Sequence, residues 1–302
     1  MKVIPPLTIT NSILTSSSVA EPAAGETAWN SATNYTVGTQ VIRTTTHKIY
    51  QNLIAGIDAG LPESTPARWV EVGTTNKWAM FDLLRNTQTS LAATSLTVVL
   101  NPVVRVNSLA VLGVVADSVT ITMVASSVTV YTTTVNLVAR NTTTYTDYFF
   151  GTFGKNPSLV LIDLPPYSSS TITITFNKAS GTILCGACVV GNYVDLGDTQ
   201  VNAQSDSLNF STIARDTFGG AILNPKRSIP KTNQTTFINK TSVNKIRDVR
   251  ELLNAVPAVW TGVDDSTDGY FEALLILGIY KRFTIDLTYN EYAIVTLELE
   301  EI

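Results

Sequence analysis

The chain has 302 residues, of which 44% are hydrophobic and only 15% charged, and its net charge is −4. A pI near 5.1 argues against nucleic-acid binding, which needs a basic surface, and the hydrophobic content argues against intrinsic disorder. Threonine and valine, which pack well in pleated strands, are abundant, so we predict a mainly β protein. The length suffices for roughly two domains.

Export and membrane insertion are not expected from this sequence. No apolar run approaches the roughly 20 residues that a membrane-spanning helix needs. A proline pair lies where the apolar region of a signal peptide would stand, so we predict no signal peptide. Without export, little weight attaches to the Asn-x-Ser/Thr glycosylation sequons at Asn34, Asn141, Asn209, Asn233 and Asn239.

The first 25 residues are predicted to form an extended arm. Pro5, Pro6 and Pro22 remove backbone donors, and the serine-rich middle of this segment has no hydrophobic periodicity. Because it has too little apolar content to form a core, we expect residues 1–25 to become ordered only in an assembly, by pairing with the sheet edge of a neighbour.

Two β units are predicted to follow this arm. Residues 26–75 form a small aromatic module, for which we expect three strands. Residues 76–200 contain about seven strand-like segments separated by turn residues, and several alternate strictly, as Ile172, Ile174 and Phe176 alternate with threonines. This spacing predicts a β-sandwich of the jelly-roll or galactose-binding type.

Residues 201–302 are predicted to form a C-terminal β region with one helix over residues 244–256. Asn244 is the predicted N-cap, and Pro257 is expected to stop the helix. Its apolar face is expected to comprise Ile246, Val249, Leu252, Leu253 and Val256. This helix and the tyrosine-rich stretch from Tyr270 to Tyr292 are both expected either to face another subunit or to complete the C-terminal core.

The two cysteines, Cys185 and Cys188, form a CxxC sequence. The flanking residues are strand-like and offer no helix start that would lower a thiol pKa, so we predict two reduced thiols in or beside a strand. A zinc site would need more ligands, and the single histidine, His47, is far away in sequence and is expected in a surface strand. We therefore predict no metal and no cofactor.

Other motifs that could carry chemistry are incomplete. The run from Gly151 to Lys155 has the wrong spacing for a phosphate-binding loop, and Asp264–Gly269 lacks the glutamate that would complete a calcium-binding loop. The latter is expected to be a surface turn. The 24 acidic residues could include the carboxylate pair of a glycosidase, but no spacing in the sequence indicates one.

Residues 28–73 resemble the small chitin-binding modules of carbohydrate-binding families 5 and 12. The pattern consists of an Ala-Trp start, a Tyr-Thr-x-Gly turn, a valine, a second tyrosine, a proline loop and a Trp-x-x-x-Gly end. These positions correspond to Ala28, Trp29, Tyr35, Thr36, Gly38, Val41, Tyr50, Pro62 or Pro66, Trp69 and Gly73.

The resemblance implies that exposed aromatic rings stack on sugars. In this family the closing tryptophan is one of them, which corresponds to Trp69, with Tyr50 and Trp29 as the accompanying candidates. The loop that often carries a further aromatic has Leu61 here, which departs from the pattern. The alternative for Trp69 is packing, either between domains or in the core of a module too small to fold without large aromatic residues.

The segment TTNKWAMFD, residues 74–82, resembles the junction in phage virion proteins between such a module and a threonine-rich β-sandwich. We expect Gly73 to end the first module, and Trp78, Met80 and Phe81 to enter the core of the second. The stretches RVNSLAVLGVVADSVTITM, ACVVGNYVDLG and LELEEI also look like those of tail or baseplate proteins of tailed phages.

Together these features predict a non-enzymatic structural component of a phage tail, baseplate or fibre-attachment region. The resemblance implies a homo-oligomer made in the host cytoplasm and located in the virion. Its expected partners are other tail proteins, with host-surface polysaccharide as a further candidate and no nucleic acid. The alternatives are a secreted or surface carbohydrate-binding protein and a virion-associated glycan depolymerase.

Overall fold

The structure, a computed structural model, describes residues 1–139, 144–151, 154–215 and 219–302, and it confirms the prediction of a mainly β protein. Strands β1 to β7 span Lys2–Ile4, Leu14–Ser17, Asn34–Tyr35, Gln40–Arg43, Lys48–Asn52, Gly56–Ile57 and Trp69–Thr74. Strands β8 to β18 span Thr89–Ala92, Ser95–Leu100, Ser108–Leu112, Ser118–Ala125, Val128–Asn136, Val138–Ala139, Gly154–Lys155, Leu159–Leu161, Ser170–Asn177, Thr182–Cys185 and Ala187–Gly191.

The remaining strands and the helices lie mostly in the C-terminal third. Strands β19 to β27 span Val194–Asp195, Asp198–Thr199, Gln204–Leu208, Thr212–Arg215, Ala221–Asn224, Ile229–Asn239, Ala258–Thr261, Leu275–Asp286 and Tyr292–Glu301. Helices α1 to α3 span Tyr145–Phe150, Val243–Leu252 and Phe271–Leu274, and 3-10 turns span Pro62–Ser64, Ala79–Phe81 and Lys240–Ser242.

The small module is built on a three-stranded antiparallel sheet in the order β4, β5, β7, with β3 paired to β6 beside it. Gly38, at the turn before β4, has a φ of +86°, a conformation that glycine adopts without strain. The core of this module is a separate aromatic cluster. The predicted three-stranded aromatic module is therefore present.

Two sheets face each other to form the predicted sandwich. The first has the order β12, β11, β16, β9, β2, and the second has the order β15, β10, β18. Alternate residues of the predicted strands point into a shared core, among them Ile121 of β11 and Ile174 and Phe176 of β16. Trp78 and Met80 are buried in the same core and Phe81 packs against it, as predicted for the junction.

The three-stranded sheet is buried on both faces. Leu109 and Val111 of β10 point into the sandwich core, whereas Ala110 and Leu112 point the other way. There they meet apolar side chains of an eight-stranded sheet, such as Val259 of β25. The molecule therefore stacks three layers of β-sheet.

The eight-stranded sheet follows the order β19, β1, β25, β26, β27, β24, β20, and β21 pairs additionally with β24. Its end strands β19 and β20 are separated in the chain only by Leu196 and Gly197, so the sheet curls round on itself. Its second face forms a core that includes Trp260, Val295 and Leu297, and helix α2 packs against this core.

The prediction that residues 1–25 find order only in an assembly is wrong. Strand β1 lies between β19 and β25 of the large sheet, with Val3 and Ile4 fully buried. Strand β2 pairs with β9 at the edge of the sandwich. Few apolar residues suffice because strands distant in the sequence complete their environment. This segment therefore ties the two larger units together.

The predicted helix exists but is shorter than residues 244–256. It begins at Val243, after a 3-10 turn capped by Asn239, so Asn244 lies inside the helix and is not its N-cap. The helix ends at Leu252, before Pro257 can act. Ile246, Val249 and Leu253 are buried, but Leu252 is 64% exposed and Val256 36%, so these two do not belong to the apolar face.

Candidate functional site

The predicted sugar-binding residues of the small module lie mostly in its core. Trp69 is 2% exposed and Tyr50 5%, and Val41 packs beside them. The ring of Tyr35 meets that of Trp69 edge-on, with centroids 5.3 Å apart. In this conformation neither Trp69 nor Tyr50 offers a ring face to a ligand, which favours the core-packing alternative for Trp69.

The polar edge of Trp69 is also satisfied within the module. Its indole N–H donates to Asp58 Oδ2 at 3.0 Å, and the Gly60 N–H donates to Asp58 Oδ1 at 2.9 Å. These bonds hold the pKa of Asp58 below its ordinary value. The bond from Gly60 contributes most, and the positive charge of Arg68 acts in the same direction. Asp58 therefore anchors the indole from the loop that precedes Pro62.

Trp29 is the remaining candidate, and it is half-buried against the aromatic cluster. The guanidinium of Arg43 lies over its ring at 5.0 Å from the centroid, a cation–π contact. Arg43 is itself held by Glu63, with its Nη2 3.1 Å from Glu63 Oε1. A sugar that stacked on this face of Trp29 would have to displace Arg43.

A polar cluster at the junction joins the small module to the sandwich. Glu21 is nearly buried, and its carboxylate lies 2.9 Å from His47 Nδ1. It accepts hydrogen bonds from Thr75 Oγ1 at 2.8 Å and from the Trp78 indole N–H at 3.1 Å. The expectation that His47 lies in a surface strand is wrong, because it occupies a turn with a φ of +58° and is largely buried.

No motif in the sequence indicates this cluster. Its members come from the N-terminal segment, the β4–β5 turn and the junction, up to 57 residues apart. No spacing rule brings such residues together. The signal available in the sequence was the type of residue: a single histidine, His47, and a glutamate, Glu21, in an N-terminal segment with no predicted core.

Cys185 and Cys188 lie in strands, as predicted, and both thiols are free and buried. The strand is interrupted, however: Cys185 ends β17 and Cys188 belongs to β18, with Gly186 donating its N–H to the Leu112 carbonyl between them. Burial raises the pKa of Cys185 and raises that of Cys188 to about 12. Neither thiol has the lowered pKa that redox chemistry requires.

The incomplete loop motifs have structural explanations where the structure describes them. In Asp264–Gly269, Asp265 accepts hydrogen bonds from the N–H and hydroxyl of Thr267, which makes a surface turn as predicted. Asp264 forms an ion pair with Lys2 at 2.6 Å. Gly151 ends helix α1, and Lys155 lies in the short strand β14, whereas residues 152 and 153 are outside the described residues. The sequon at Asn141 is also outside the described residues.

The tyrosine-rich stretch contributes to the core and to the surface. Tyr280 packs edge-on against Trp260, and its hydroxyl donates to the Arg250 carbonyl at 2.9 Å. Tyr270, Tyr289 and Tyr292 are exposed, the last two stacked with centroids 4.4 Å apart. Helix α2 completes the C-terminal core, as one of the two alternatives predicted, and its charged residues face outward.

Two exposed apolar features escaped the sequence reasoning. Helix α1 begins at a Thr144–Asp147 capping box, and its four aromatic side chains are all more than half exposed: Tyr145, Tyr148, Phe149 and Phe150. The second is the β22–β23 hairpin, described over residues 209–215 and 219–226, in which every strand residue is exposed. Their apolar residues are visible in the sequence, but only the fold shows that they lie outside its cores.

The hairpin carries aliphatic side chains on both of its faces. Ile213 pairs across the strands with Leu223, and Ala214 pairs with Ile222. Ile213, Ile222 and Leu223 are each more than 60% exposed. None of the described residues of the hairpin belongs to any of the four cores.

The root of the hairpin is fixed to the rest of the chain by a buried carboxylate. Glu301, which is almost inaccessible, receives Arg85 at 2.9 Å and also pairs with Arg227 just beyond the hairpin. Ser211 bridges the base, accepting from the Lys226 N–H at 2.9 Å. The hairpin therefore projects from a fixed base.

A groove of about 690 Å³ lies elsewhere on the C-terminal unit. It is lined by both apolar and polar residues, including Asp198, Val201, Val263 and Tyr270. Within the described residues no cluster of three or more His, Cys, Asp and Glu side chains is arranged to hold a metal ion. No described helix combines the length and hydropathy needed to cross a bilayer.

No protein-family model matches this chain, and no curated protein sequence matches it either.

Proposed function

We propose that this chain is a non-enzymatic structural component of a phage tail, located in the tail tip, baseplate or fibre-attachment region. The resemblance of residues 74–82 to the module junction of virion proteins supports this role, and so does the stacked β architecture that follows it. Such a component would be made in the host cytoplasm and would bind other tail proteins in the virion.

The observation that carries the proposal is the exposed β22–β23 hairpin. An isolated two-stranded hairpin is at best marginally stable in water, and here Ile213 and Leu223 stand on one exposed face. Burying such side chains against another protein would stabilise both the hairpin and the contact by about 25 cal/mol per Å² of apolar surface. The low net charge keeps repulsion between neighbouring subunits small.

Carbohydrate binding is the weaker proposal for this chain. It rests on the resemblance of residues 28–73, whereas Trp69 and Tyr50 are buried and Arg43 covers Trp29. Sugar binding through these residues stays a prediction that would require the module to open.

Incorporation into phage particles tests the proposal. The double variant Ile213→Asp, Leu223→Asp places two charges on one face of the hairpin. We expect this variant to keep the melting temperature of the unmodified chain but to be missing from purified particles, as detected by mass spectrometry. The matched control is Thr212→Asp, Asn224→Asp, which adds the same charges to the opposite face.

Absence of the unmodified chain from purified particles would overturn the assignment. Cleavage of a glycan by the purified chain, abolished by replacing one or two carboxylates, would favour the depolymerase instead.

A further inference from the structure

Strand β12, Val128–Asn136, forms one edge of the five-stranded sheet. Among the described residues its pairing partner is β11 on one side, and no strand pairs with its other side. All nine of its residues are uncharged, and none is proline or glycine. Natural proteins usually protect such edges with lysine, proline, very short strands or β-bulges. The register shift of β12 lies near its start, between Thr129 and Tyr131, so residues 131–136 form a regular, unprotected edge that is suited to pairing with another strand.

The direction of the free backbone groups follows from the register. The Leu137 N–H donates to the Asp117 carbonyl, and the pairing with β11 continues without a shift from Asn136 to Tyr131. Because residues of antiparallel strands alternate between bonded and non-bonded pairs, the amide groups of Thr132 and Thr134 point away from β11. These groups are available to a further strand.

Threonine side chains form two rows across the outer face of this sheet. The register aligns Thr97, Thr175, Thr120 and Thr134 in one row and Thr173, Thr122 and Thr132 in the other. The hydroxyls of Thr120 and Thr134 are 3.0 Å apart, and those of Thr122 and Thr132 are 3.2 Å apart. Both rows run to β12, where an added strand with threonines in register would continue them.

We propose that β12 pairs antiparallel with β12 of a second copy of this chain, about a two-fold axis at Thr133. In this register Thr132 lies opposite the partner's Thr134, so the outward amide groups meet and both threonine rows continue into the second copy. Tyr131 lies opposite the partner's Val135, an aromatic and β-branched pair of the kind that stabilises antiparallel strands.

The occupant is a second copy because the strand is complementary to itself in this register. Each threonine of the outer face meets a threonine, the one aromatic residue meets a β-branched residue, and no like charges face each other. The contact is isologous, as in most two-fold dimers, and it closes the free edge of both copies at once. This inference deepens the proposed structural function by naming a partner, but it rests on a surface distant in sequence from the hairpin.

Disulfide trapping in solution tests the contact. Thr133 lies on the axis as a non-bonded pair, for which Cα atoms about 4.5 Å apart suit a disulfide. We expect Thr133→Cys to form a covalent dimer under mild oxidation, whereas the native Cys185 and Cys188 are buried and stay unreactive. The control Thr122→Cys, on the neighbouring strand β11, is expected to remain monomeric under reducing-agent-free denaturing electrophoresis.

A pair of proline variants separates dimer loss from unfolding. Thr132→Pro removes an N–H that points away from β11. We therefore expect light scattering to show a monomer, with a melting temperature close to that of the edge-blocked variant Thr134→Lys. Thr133→Pro removes an inward N–H bonded to β11 and is expected to destabilise the sandwich. Thr134→Lys provides a second way to block the edge without a backbone change.

Two outcomes would overturn the inference: an unmodified chain that stays monomeric at every concentration, or a dimer that survives Thr132→Pro and Thr134→Lys while Thr133→Cys fails to cross-link. Because these measurements use the purified chain in solution, they can fail while incorporation into particles succeeds, and the reverse.

Discussion

The imidazole ring of His47 stacks on the indole ring of Trp78, with centroids 4.2 Å apart and planes inclined by 25°. His47 belongs to the small module, and Trp78 is part of the sandwich core. The indole N–H of Trp78 donates a hydrogen bond to the carboxylate of Glu21, and Nδ1 of His47 forms a hydrogen bond with the same carboxylate. The two units are therefore joined by a packed polar contact in addition to the peptide chain.

Removing this carboxylate should loosen the junction. We expect Glu21→Ala to lower the free energy of unfolding by roughly 1–3 kcal/mol for each buried donor that it leaves without an acceptor, such as the Thr75 hydroxyl and the Trp78 indole N–H. Limited proteolysis should then cut near residues 74–77, which the unmodified chain resists. The matched control Glu71→Ala removes a half-exposed partner of Lys48 and should cost at most about 1 kcal/mol. Equal protease sensitivity of both variants would contradict a special role for Glu21.

Truncating Trp69 should unfold the small module. Because this side chain is fully buried, we expect Trp69→Ala to cost roughly 3–5 kcal/mol, which a module of this size cannot lose and remain folded. Calorimetry should show that the sandwich still melts cooperatively, at a somewhat lower temperature because His47 no longer stacks on Trp78. Val72→Ala, on the same strand but exposed, is the control. A Trp69→Ala variant with unchanged stability would mean that the indole is not part of the core.

The stability of the small module should depend on pH through Asp58. Its pKa is lowered in the folded state, so its contribution is complete above the ordinary value of 3.8 and is lost as pH falls through the lower folded pKa. We expect Asp58→Asn to lower the melting temperature of the module at pH 7 and to differ less from the unmodified chain below pH 3.8. The exposed Asp248→Asn serves as control; a pH-independent difference would count against the charge as the cause.

Both native thiols should be inert in the folded chain. With a pKa of about 12, Cys188 is thiolate in only on the order of 10⁻⁴ of molecules at pH 8, and it is also buried. A chromogenic disulfide reagent should therefore detect two thiols only after denaturation. Ser207→Cys, in an exposed strand, should react at once in the folded state, and rapid reaction of the native chain would show that the strands around Gly186 open.

Local sequence patterns determined much of the β architecture. The alternation over residues 118–125 and 170–177 predicts strands that the structure has with these bounds, because side chains of period two must separate a core face from an outer face. The spacing of Ile246 and Val249 likewise indicates the apolar face of helix α2. The entry of Trp78 and Met80 into the second core was also predictable, since large apolar residues at a junction must be buried by one of the units.

Only the tertiary structure decided where residues 1–25 belong and what the aromatic residues of the small module do. Val3 is buried by strands that begin about 190 and 255 residues further along the chain, and a three-residue strand has no periodicity of its own to reveal this. The sequence identified Trp69 as an aromatic residue of a compact module and left its role open between sugar binding and packing. Its burial against Tyr35 and its hydrogen bond to Asp58 depend on contacts in space. Local rules describe which face of an element is apolar, whereas long-range packing decides which partner covers this face. For β12 and the β22–β23 hairpin, no such partner lies in the described part of the chain.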